Sequence, residues 1–190
     1  DPAKVDAARQ SASHIADHVT AFVRTRTTVA VERTVLRLFG IDGVDGEATH
    51  EDHKGEIEVL SWSWNVSNVS NITGGGSGKG KANPGDFSFM HLYDKASPNL
   101  AKKCAQGVHF PNVVLTARKA GEGQKDFLKV TMKEVYITSV SPAGSSGGDI
   151  GESVSMTYAE IEFAYKPQEK DGKLGGDVKF GWNVKSTKIT

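Results

Sequence analysis

The sequence has no excess of charge of either sign, only one cysteine and no long hydrophobic run. Its 190 residues carry 23 Lys and Arg against 23 Asp and Glu. Proteins dedicated to nucleic acids or anionic membranes normally carry a basic excess, so the balance argues against both classes. Cys104 has no second cysteine with which to form an intrachain disulfide, which indicates folding in a reducing compartment. No stretch approaches the ~20 apolar residues of a membrane span, so we expect no membrane insertion.

The first 40 residues are predicted to form a helical extension. Apolar residues recur at three- and four-residue spacing up to about residue 24, and Asp1 followed by Pro2 suits a helix start. Residues 28–41 leave helix and strand open, because their spacing suits a helix and their Val, Thr and Leu content suits a strand. The opening residues are polar rather than basic and then apolar, so we expect no signal peptide.

From residue 55 onward the pattern is typical of β-strands. Three long segments alternate, but in each the apolar residues change from one face to the other partway along. A strand with this pattern must bulge or pass from one packing partner to another, which predicts a strongly curved sheet or a barrel. Shorter strands are predicted within the sequences DFSFMHLY, NVVLTARK and VKFGWNV. The three long segments are GEIEVLSWSWNV, DFLKVTMKEVYITSV and ESVSMTYAEIEFAY.

One α-helix is predicted to interrupt the β region. Ser97 and Pro98 suit an N-cap and first turn, and Gly107 suits the C-terminal end. Cys104 lies on the apolar stripe of this helix together with Leu100. We therefore interpret Cys104 as a core residue rather than a nucleophile.

The glycine-rich stretch TGGGSGKGKANPG resembles a phosphate-binding loop only in part. Such a loop needs Ser or Thr directly after its Lys, whereas Lys81 is followed by Ala82 and Lys79 by Gly80. No helix pattern follows either, so a long, solvated loop is the better interpretation.

No pattern in the sequence predicts a metal, a cofactor or a catalytic group. His50 and His53 could lie together, but the spacing of His91 and His109 brings no third ligand near them. No nucleophile with its base and no paired carboxylates in an apolar setting stand out. Three consecutive glycosylation sequons begin at Asn65, Asn68 and Asn71; with no signal peptide expected, we interpret them as a polar strand end.

Four longer runs carry a specific resemblance between about Ile41 and Val184. They are IDGVDGEATHEDHKGEIEVLSWSW, FSFMHLYDKASPNLAKKCAQGVHFPNVVLTARKAG, FLKVTMKEVYITSVS and ESVSMTYAEIEFAYKPQEKDGKLGGDVKFGWNV. The DKASPNL helix start, the ARKAG strand end and the YKPQ and GWN elements are the most distinctive pieces. Together they resemble the hemolysin-coregulated protein (Hcp) family of bacterial type VI secretion systems.

The resemblance implies a mainly β domain over residues 41–190: a barrel of two curved antiparallel sheets with one flanking α-helix. It also implies a non-enzymatic structural protein without cofactors that forms homohexameric rings with a central channel. Stacked rings would form the inner tube that a contractile sheath drives out behind a spike protein, and the channel would shelter effector proteins. Such a subunit assembles in the bacterial cytoplasm and is then secreted without a signal peptide.

The resemblance also suggests which residues meet partners. The loop of residues 67–85 corresponds to the extended loop that contacts neighbouring subunits or rings in the family. Four of its residues are candidate contacts: Asn71, Lys79, Lys81 and Asn83. The turn of residues 142–148 falls near the channel, so Ser145 and Ser146 are candidate effector contacts.

Residues 1–40 depart from the Hcp family, whose members begin almost directly at the first strand. The run TTVAVERTVLRLFGIDGVD is faintly similar to the N-terminal region of cobalamin-dependent lysine aminomutases, where it is helical. Nothing else of such an enzyme is present, so we infer no cobalamin chemistry. If the extension were helical through Phe39, the first strand of the barrel would be weakened or missing. Two alternative functions remain open: an effector-bearing tube variant whose extension has its own binding activity, and a barrel that binds a small molecule.

Overall fold

The structure is a computed structural model that describes residues 35–69, 81–119, 125–144, 146–169 and 173–190. Apart from the strand ends Val35 and Lys119, these residues belong to one compact unit, 36–118 and 125–190. The helix predicted for residues 1–24 lies outside the described residues, so that prediction remains a prediction.

The compact unit is mainly β, and the described residues contain a single α-helix, α1 (Ser97–Gln106). A short 3₁₀ turn covers Glu51–His53. The described residues contain eleven strands, in chain order β1 (Val35–Ile41), β2 (Ile57–Ser63), β3 (Val66–Val69), β4 (Lys81–Pro84), β5 (Phe87–Leu92), β6 (His109–Lys119), β7 (Asp126–Gly144), β8 (Ile150–Thr157), β9 (Glu160–Tyr165), β10 (Val178–Asn183) and β11 (Lys188–Ile189).

Nine of these strands form one sheet that closes on itself through β7. Their order is β11-β10-β9-β7-β6-β1-β2-β5-β8, and an additional β7–β8 ladder joins the last strand back to β7. The pairs β7–β8 and β7–β9 are antiparallel, so β8 and β9 run back along the same strand one after the other. The predicted barrel with one flanking helix is confirmed. Its two sheets form one continuous network because β7 belongs to both.

The predicted change of apolar face within the long strands has a visible cause in each case. In β2 the register against β5 shifts between Val59 and Ser61. In β7 the backbone at Glu134 has a φ of 52°, and the register against β8 shifts between Ile137 and Ser139. The third segment is divided at Tyr158 into β8 and β9. Each bulge or break turns the following residues to the opposite face, as expected for a strand that passes between two packing partners.

The first strand of the barrel is present, although the sequence left residues 28–41 open between helix and strand. β1 begins at Val35 and pairs with β2 through Leu38 opposite Glu58 and Phe39 opposite Ile57. The helical prediction therefore does not hold for Val35–Gly40, and this part of the predicted extension belongs to the barrel. Leu38 and Phe39 are both fully buried. β-branched and aromatic residues are favoured in half-buried strands, and here burial decides in favour of the strand.

Aromatic rings form the centre of the core. Phe39 lies 4.5 Å from Phe89 and 5.9 Å from Phe87 between ring centroids. Trp62 stacks on Phe87 at 5.6 Å with an interplanar angle of 8°. Aliphatic side chains from β6, β7 and β8 complete the interior. Its fully buried members include Val113, Leu115, Val130, Met132, Val154 and Met156.

Helix α1 covers one side of the barrel through fully buried Leu100. It begins at Ser97, but the N-cap is Ala96, so the predicted N-cap at Ser97 is wrong. The Ser97 hydroxyl instead accepts the backbone N–H of Asp94 at 3.2 Å. Gly107 ends the helix with a φ of 60°, as predicted. Within the described ranges, no helix has the length and apolar character needed to cross a membrane.

A network of hydrogen-bonded charged side chains connects the 3₁₀ turn to the β6–β7 hairpin. Arg118 donates from Nε to Asp126 at 2.7 Å and from Nη1 to Asp52 at 3.0 Å. The hydrogen bond to Asp126 raises the pKa of the Arg118 guanidinium, and the bond to Asp52 adds to that effect. Nδ1 of the nearby His53 lies 2.9 Å from Oε1 of Glu56. Across the described part of the chain, no group of three or more His, Cys, Asp or Glu side chains is placed to hold a metal ion.

Candidate functional site

The outer face of four neighbouring strands carries two rows of small hydroxyl side chains. The strands β2, β5, β8 and β7 are adjacent in this order. In the first row each serine lies opposite the next, and in the second row one methionine takes the place of a serine. The rows are Ser63–Ser88–Ser155–Ser139 and Ser61–Met90–Ser153–Ser141. We call this surface the serine face.

The serine face follows from the alternation of inward and outward side chains within these segments of the four strands. In β8, Glu152, Val154 and Met156 point into the core, while Ser153 and Ser155 point outward. Because strand side chains alternate between the two faces, the buried residues place the serines on the outside. The hydroxyls of Ser88 and Ser155 lie 2.8 Å apart.

The serine face is polar without being charged. None of the eight residues in the two rows is acidic or basic, whereas about a quarter of the whole chain is charged. A serine hydroxyl both donates and accepts hydrogen bonds, so this surface offers weak contacts to many polypeptides. It contains no fixed charge that would select for or against a charged partner.

One border of the serine face is the C-terminal half of β7, which is an edge strand within the described residues. The β6 ladder ends at Tyr136, whereas the β8 ladder continues to Gly144. Pro142 has no N–H group, and proline in a sheet is confined to edges and bulges. Backbone N–H groups along a strand point alternately to its two neighbours, so we infer that position 142 and Val140, two residues before it, both face the open side rather than β8. On this side Cys104 of α1, half-buried against the core, points its thiol at the carbonyl oxygen of Ile137 at 3.6 Å.

The base of the predicted contact loop is fixed at the end of β8. Strands β3 and β4 form a separate two-stranded sheet, with Ser67 opposite Asn83. The Trp64 indole donates to the Tyr158 hydroxyl, which donates in turn to the carbonyl oxygen of Gly85 at 3.0 Å. A side chain at position 85 would collide with Asn65, since a Cβ there would lie 2.0 Å from Oδ1 of Asn65. A larger residue where β4 turns into β5 would therefore require the Asn65 side chain to move.

Burial raises the pKa of the Tyr158 phenol above its usual value of about 10, and the charge of Asp86 adds to this effect. The hydrogen bond from Trp64 opposes it. The folded chain therefore favours the neutral phenol. Its contribution to stability is present below about pH 10 and is lost as the pH rises further.

We expect Tyr158→Phe to lower the free energy of unfolding at pH 7 by about 1–2 kcal/mol, because two half-buried polar groups lose their partner. At pH 11 the difference from the wild type should shrink, since only the wild type has a phenol to ionise at this position. Denaturant unfolding at both pH values measures the two differences. The matched control is Tyr165→Phe, because Tyr165 is exposed. A Tyr158→Phe difference that stays constant from pH 7 to pH 11 would contradict the proposed role of the buried phenol.

The structure describes only part of the predicted contact set. Lys81 and Asn83 lie two residues apart in β4, and Asn83 is exposed; the side chain of Lys81 is not described. Ser146 is exposed in the turn between β7 and β8. This turn lies at one end of β8, and the base of the loop lies at the other, beside Tyr158. The remaining predicted residues, Asn71, Lys79 and Ser145, lie outside the described residues.

Sequence reasoning missed the serine face and the edge of β7. A signal for the first was available, because serines alternate with large apolar residues in SWSW and in ESVSM. Pro142 was a signal for the second, since a proline inside a strand pattern indicates an edge. The Trp64–Tyr158–Gly85 contact had no such signal, because Trp64 and Tyr158 are 94 residues apart.

The N-terminal part of the chain matches a different family from the rest. The sequence model of the D-lysine 5,6-aminomutase TIM-barrel domain of the alpha subunit matches residues 1–52. This match covers the region of faint similarity to lysine aminomutases. It overlaps the beginning of the barrel, since β1 and the following turn lie within it.

The barrel matches one family in both sequence and structure. The model described as "Type VI secretion system effector, Hcp" matches residues 39–165. The Hcp1 protein of Pseudomonas aeruginosa is 46% identical over 149 residues, which cover 76% of this chain and 92% of that protein. A solved structure described as that of a type six secretion system protein has a TM-score of 0.77 and 30% identity, covering 83% of this chain and 100% of the other. The crystal structure of Hcp1 from Salmonella typhimurium has a TM-score of 0.68 and 34% identity. The match covers 82% of this chain and 99% of the Salmonella chain. The chain therefore belongs to the Hcp family of type VI secretion proteins.

Proposed function

We propose that this chain is the structural subunit of a type VI secretion tube, in which six copies form a ring around a channel. Hcp-family proteins form type VI secretion tubes. The observation that carries the proposal is the serine face, an uncharged sheet surface that ends at the open edge of β7. A surface that lines a channel must contact many cargo sequences without binding any of them tightly. Uncharged hydroxyls meet that requirement.

In the proposed ring, the open edge of β7 meets the neighbouring copy of the chain. A long strand edge with free N–H and C=O groups favours pairing with another chain. A contact between two different surfaces of identical subunits forms a closed ring when the rotation between the subunits completes a circle. The serine faces of successive copies would then line one channel, with Ser145 and Ser146 at its rim as effector contacts.

The loop of residues 67–85 would join one ring to the next. Its base and the turn that carries Ser146 lie at opposite ends of β8, which suits stacking of rings in one direction. Asn71, Lys79, Lys81 and Asn83 would provide the contacts. The growing tube would meet the spike protein at its tip and the contractile sheath on its outside. We further propose that the subunit assembles in the bacterial cytoplasm and is secreted to the extracellular space or a target cell.

The double substitution Lys79→Glu/Lys81→Glu is expected to shorten stacked tubes and to leave single rings intact. Two reversed charges in a stacking contact oppose the original pairing, whereas the buried residues of the barrel core are unchanged. Tube lengths are measured by electron microscopy, and ring mass is measured by sedimentation velocity at the same concentration.

The matched control is Lys185→Glu/Lys188→Glu, which makes the same change in net charge at two exposed lysines near the end of the chain. We expect its tube lengths to equal those of the wild type. Unchanged tube lengths in the loop variant would refute the stacking role of the loop. Loss of the rings themselves would mean that the loop contacts neighbouring subunits within one ring rather than the next ring.

A second candidate function is that of an effector-bearing tube subunit whose first residues have a binding activity of their own. The match of residues 1–52 to a family other than Hcp favours it. Deletion of residues 1–33 would remove such an activity and leave assembly intact. Equal binding and assembly before and after the deletion would exclude this candidate.

A further inference from the structure

A cleft with acidic and hydrophobic walls lies at the end of β8 that begins with Ile150. The backbone N–H of Tyr93 donates to the carbonyl oxygen of Ile150 at 2.8 Å, which places the cleft at this end of the strand. The cleft has a volume of about 360 Å³. Its lining includes three carboxylates and three large hydrophobic side chains: Glu47, Glu58, Asp94, Leu60, Leu92 and Tyr93.

The hydrophobic walls of the cleft are accessible to a partner. Leu60, Leu92 and Tyr93 are each about half exposed. Leu92 lies two residues after Met90 on β5, so it points to the same side of the sheet as the serine face. Exposed hydrophobic surface that is bordered by polar groups marks a contact site on a soluble protein.

Two of the three carboxylates in the cleft have no charged partner. Glu47 and Glu58 are exposed, and neither forms an ion pair with another described residue. Two basic residues lie close by in the fold without lining the cleft. Arg37 donates to a backbone carbonyl oxygen of β2 at 3.3 Å, and Lys95 donates its backbone N–H to Glu47 at 3.3 Å. The lining of the cleft therefore carries negative charge only.

The loop of residues 67–85 has the complementary composition. It contains Lys79 and Lys81, the apolar residues Val69 and Ile72, and no Asp or Glu. Its base lies beside Tyr158, at the opposite end of β8 from the cleft. In a stack of rings that all point in one direction, a surface at one end of the subunit faces the opposite end of a subunit in the next ring.

We propose that the cleft receives the loop of residues 67–85 from a second copy of the chain in the adjacent ring. The lysines of the loop pair with Glu47 and Glu58, and the apolar residues of the loop cover the hydrophobic walls. Opposite charges at the two ends also give the stack one polarity, because like ends would bring two acidic clefts or two basic loops together. The inference rests on the proposed stacking role of the loop and identifies the surface that the loop contacts.

Glu47→Lys/Glu58→Lys is expected to weaken stacking and to leave single rings intact. Losing an exposed ion pair lowers an association constant about twofold, and the same loss in six copies of a ring multiplies to about sixtyfold. The ring concentration at which tubes appear in electron micrographs should rise by that factor. The matched control is Glu162→Lys/Glu169→Lys, which makes the same change in charge at two exposed residues outside the cleft. Its tubes should form at the wild-type concentration, and an equal loss of stacking in the control would overturn the proposal.

A mixture of two variants tests the pairing of loop and cleft directly. Rings of Glu47→Lys/Glu58→Lys have basic loops and excess basic charge at the cleft, whereas rings of Lys79→Glu/Lys81→Glu have acidic loops and acidic clefts. At the wild-type concentration neither variant should stack alone. The mixture should form tubes in which the two kinds of ring alternate, and a gold label on one variant makes the alternation visible in electron micrographs.

The stacking role of the loop and its place of contact fail in different ways. If Lys79→Glu/Lys81→Glu weakens stacking but the cleft variant does not, or if the mixture forms no tubes, the loop contacts another surface and the proposal is overturned. If Lys79→Glu/Lys81→Glu stacks like the wild type, the loop has no stacking role and both proposals fail. Glu47→Gln/Glu58→Gln removes the two charges without reversing them and replaces the cleft variant if that variant forms no rings. Wild-type stacking by this neutral variant would also overturn the proposal.

Discussion

Phe89→Ala is expected to lower the free energy of unfolding by about 3–5 kcal/mol. Phe89 is 1% exposed, and its ring lies 4.5 Å from that of Phe39 and 5.5 Å from that of His91. Removing the ring leaves a cavity where β1 and β5 meet, and the surrounding strands cannot close it because each belongs to the closed network. Single domains are stable by about 5–15 kcal/mol in total, so this one change would remove a large fraction of the stability.

Denaturant unfolding followed by the fluorescence of the three tryptophans, Trp62, Trp64 and Trp182, measures this effect. The matched control is Leu60→Ala, which removes a large apolar side chain that is 55% exposed. We expect the control to lie within about 0.5 kcal/mol of the wild type. Similar losses for the two variants would mean that the ring cluster is not the centre of the core.

Val140→Pro is expected to prevent ring formation while the single chain stays folded. We infer from its spacing to Pro142 that the N–H of Val140 points to the open side of β7, so its removal should spare the ladder with β8. A proline there takes away a donor and puts its ring in the path of a neighbouring strand. The loss of about 1–3 kcal/mol at each contact reduces each association constant roughly five- to 150-fold.

Val140→Ala is the control, because it removes most of the same side chain and keeps the N–H group. It should lose some stability, since Val140 packs against the core, but it should still form rings. Sedimentation velocity distinguishes rings from single chains, and circular dichroism checks that both variants are folded. Rings in Val140→Pro at the wild-type concentration would show that the edge of β7 is not the ring contact.

The sequence predicted the long β-strands well because each of them buries one face at a time, but it assigned Lys81–Pro84, which forms β4, to a loop. The alternation in DFLKVTMKEVYITSV predicts β7, and the same pattern shows the change of apolar face at Glu134. The family resemblance added the closure of the barrel, which alternation alone left open between a curved sheet and a barrel.

The features that local sequence patterns do not predict depend on which strands become neighbours in the fold. His91 and Glu152 are 61 residues apart, and they meet only because β5 pairs with β8 in one register. The same holds for the serine face, whose rows cross four strands. The helix start was misassigned by one residue because the Ser97 hydroxyl bonds back to Asp94. In β1, local spacing suited a helix, but burial against β2 favoured a strand.

Single-particle images of the purified chain test the tube proposal most directly. We predict class averages of six-fold rings with an open central channel, some of them stacked, together with a mass by sedimentation close to that of six chains. Images and masses of single chains alone, at every concentration tested, would contradict it.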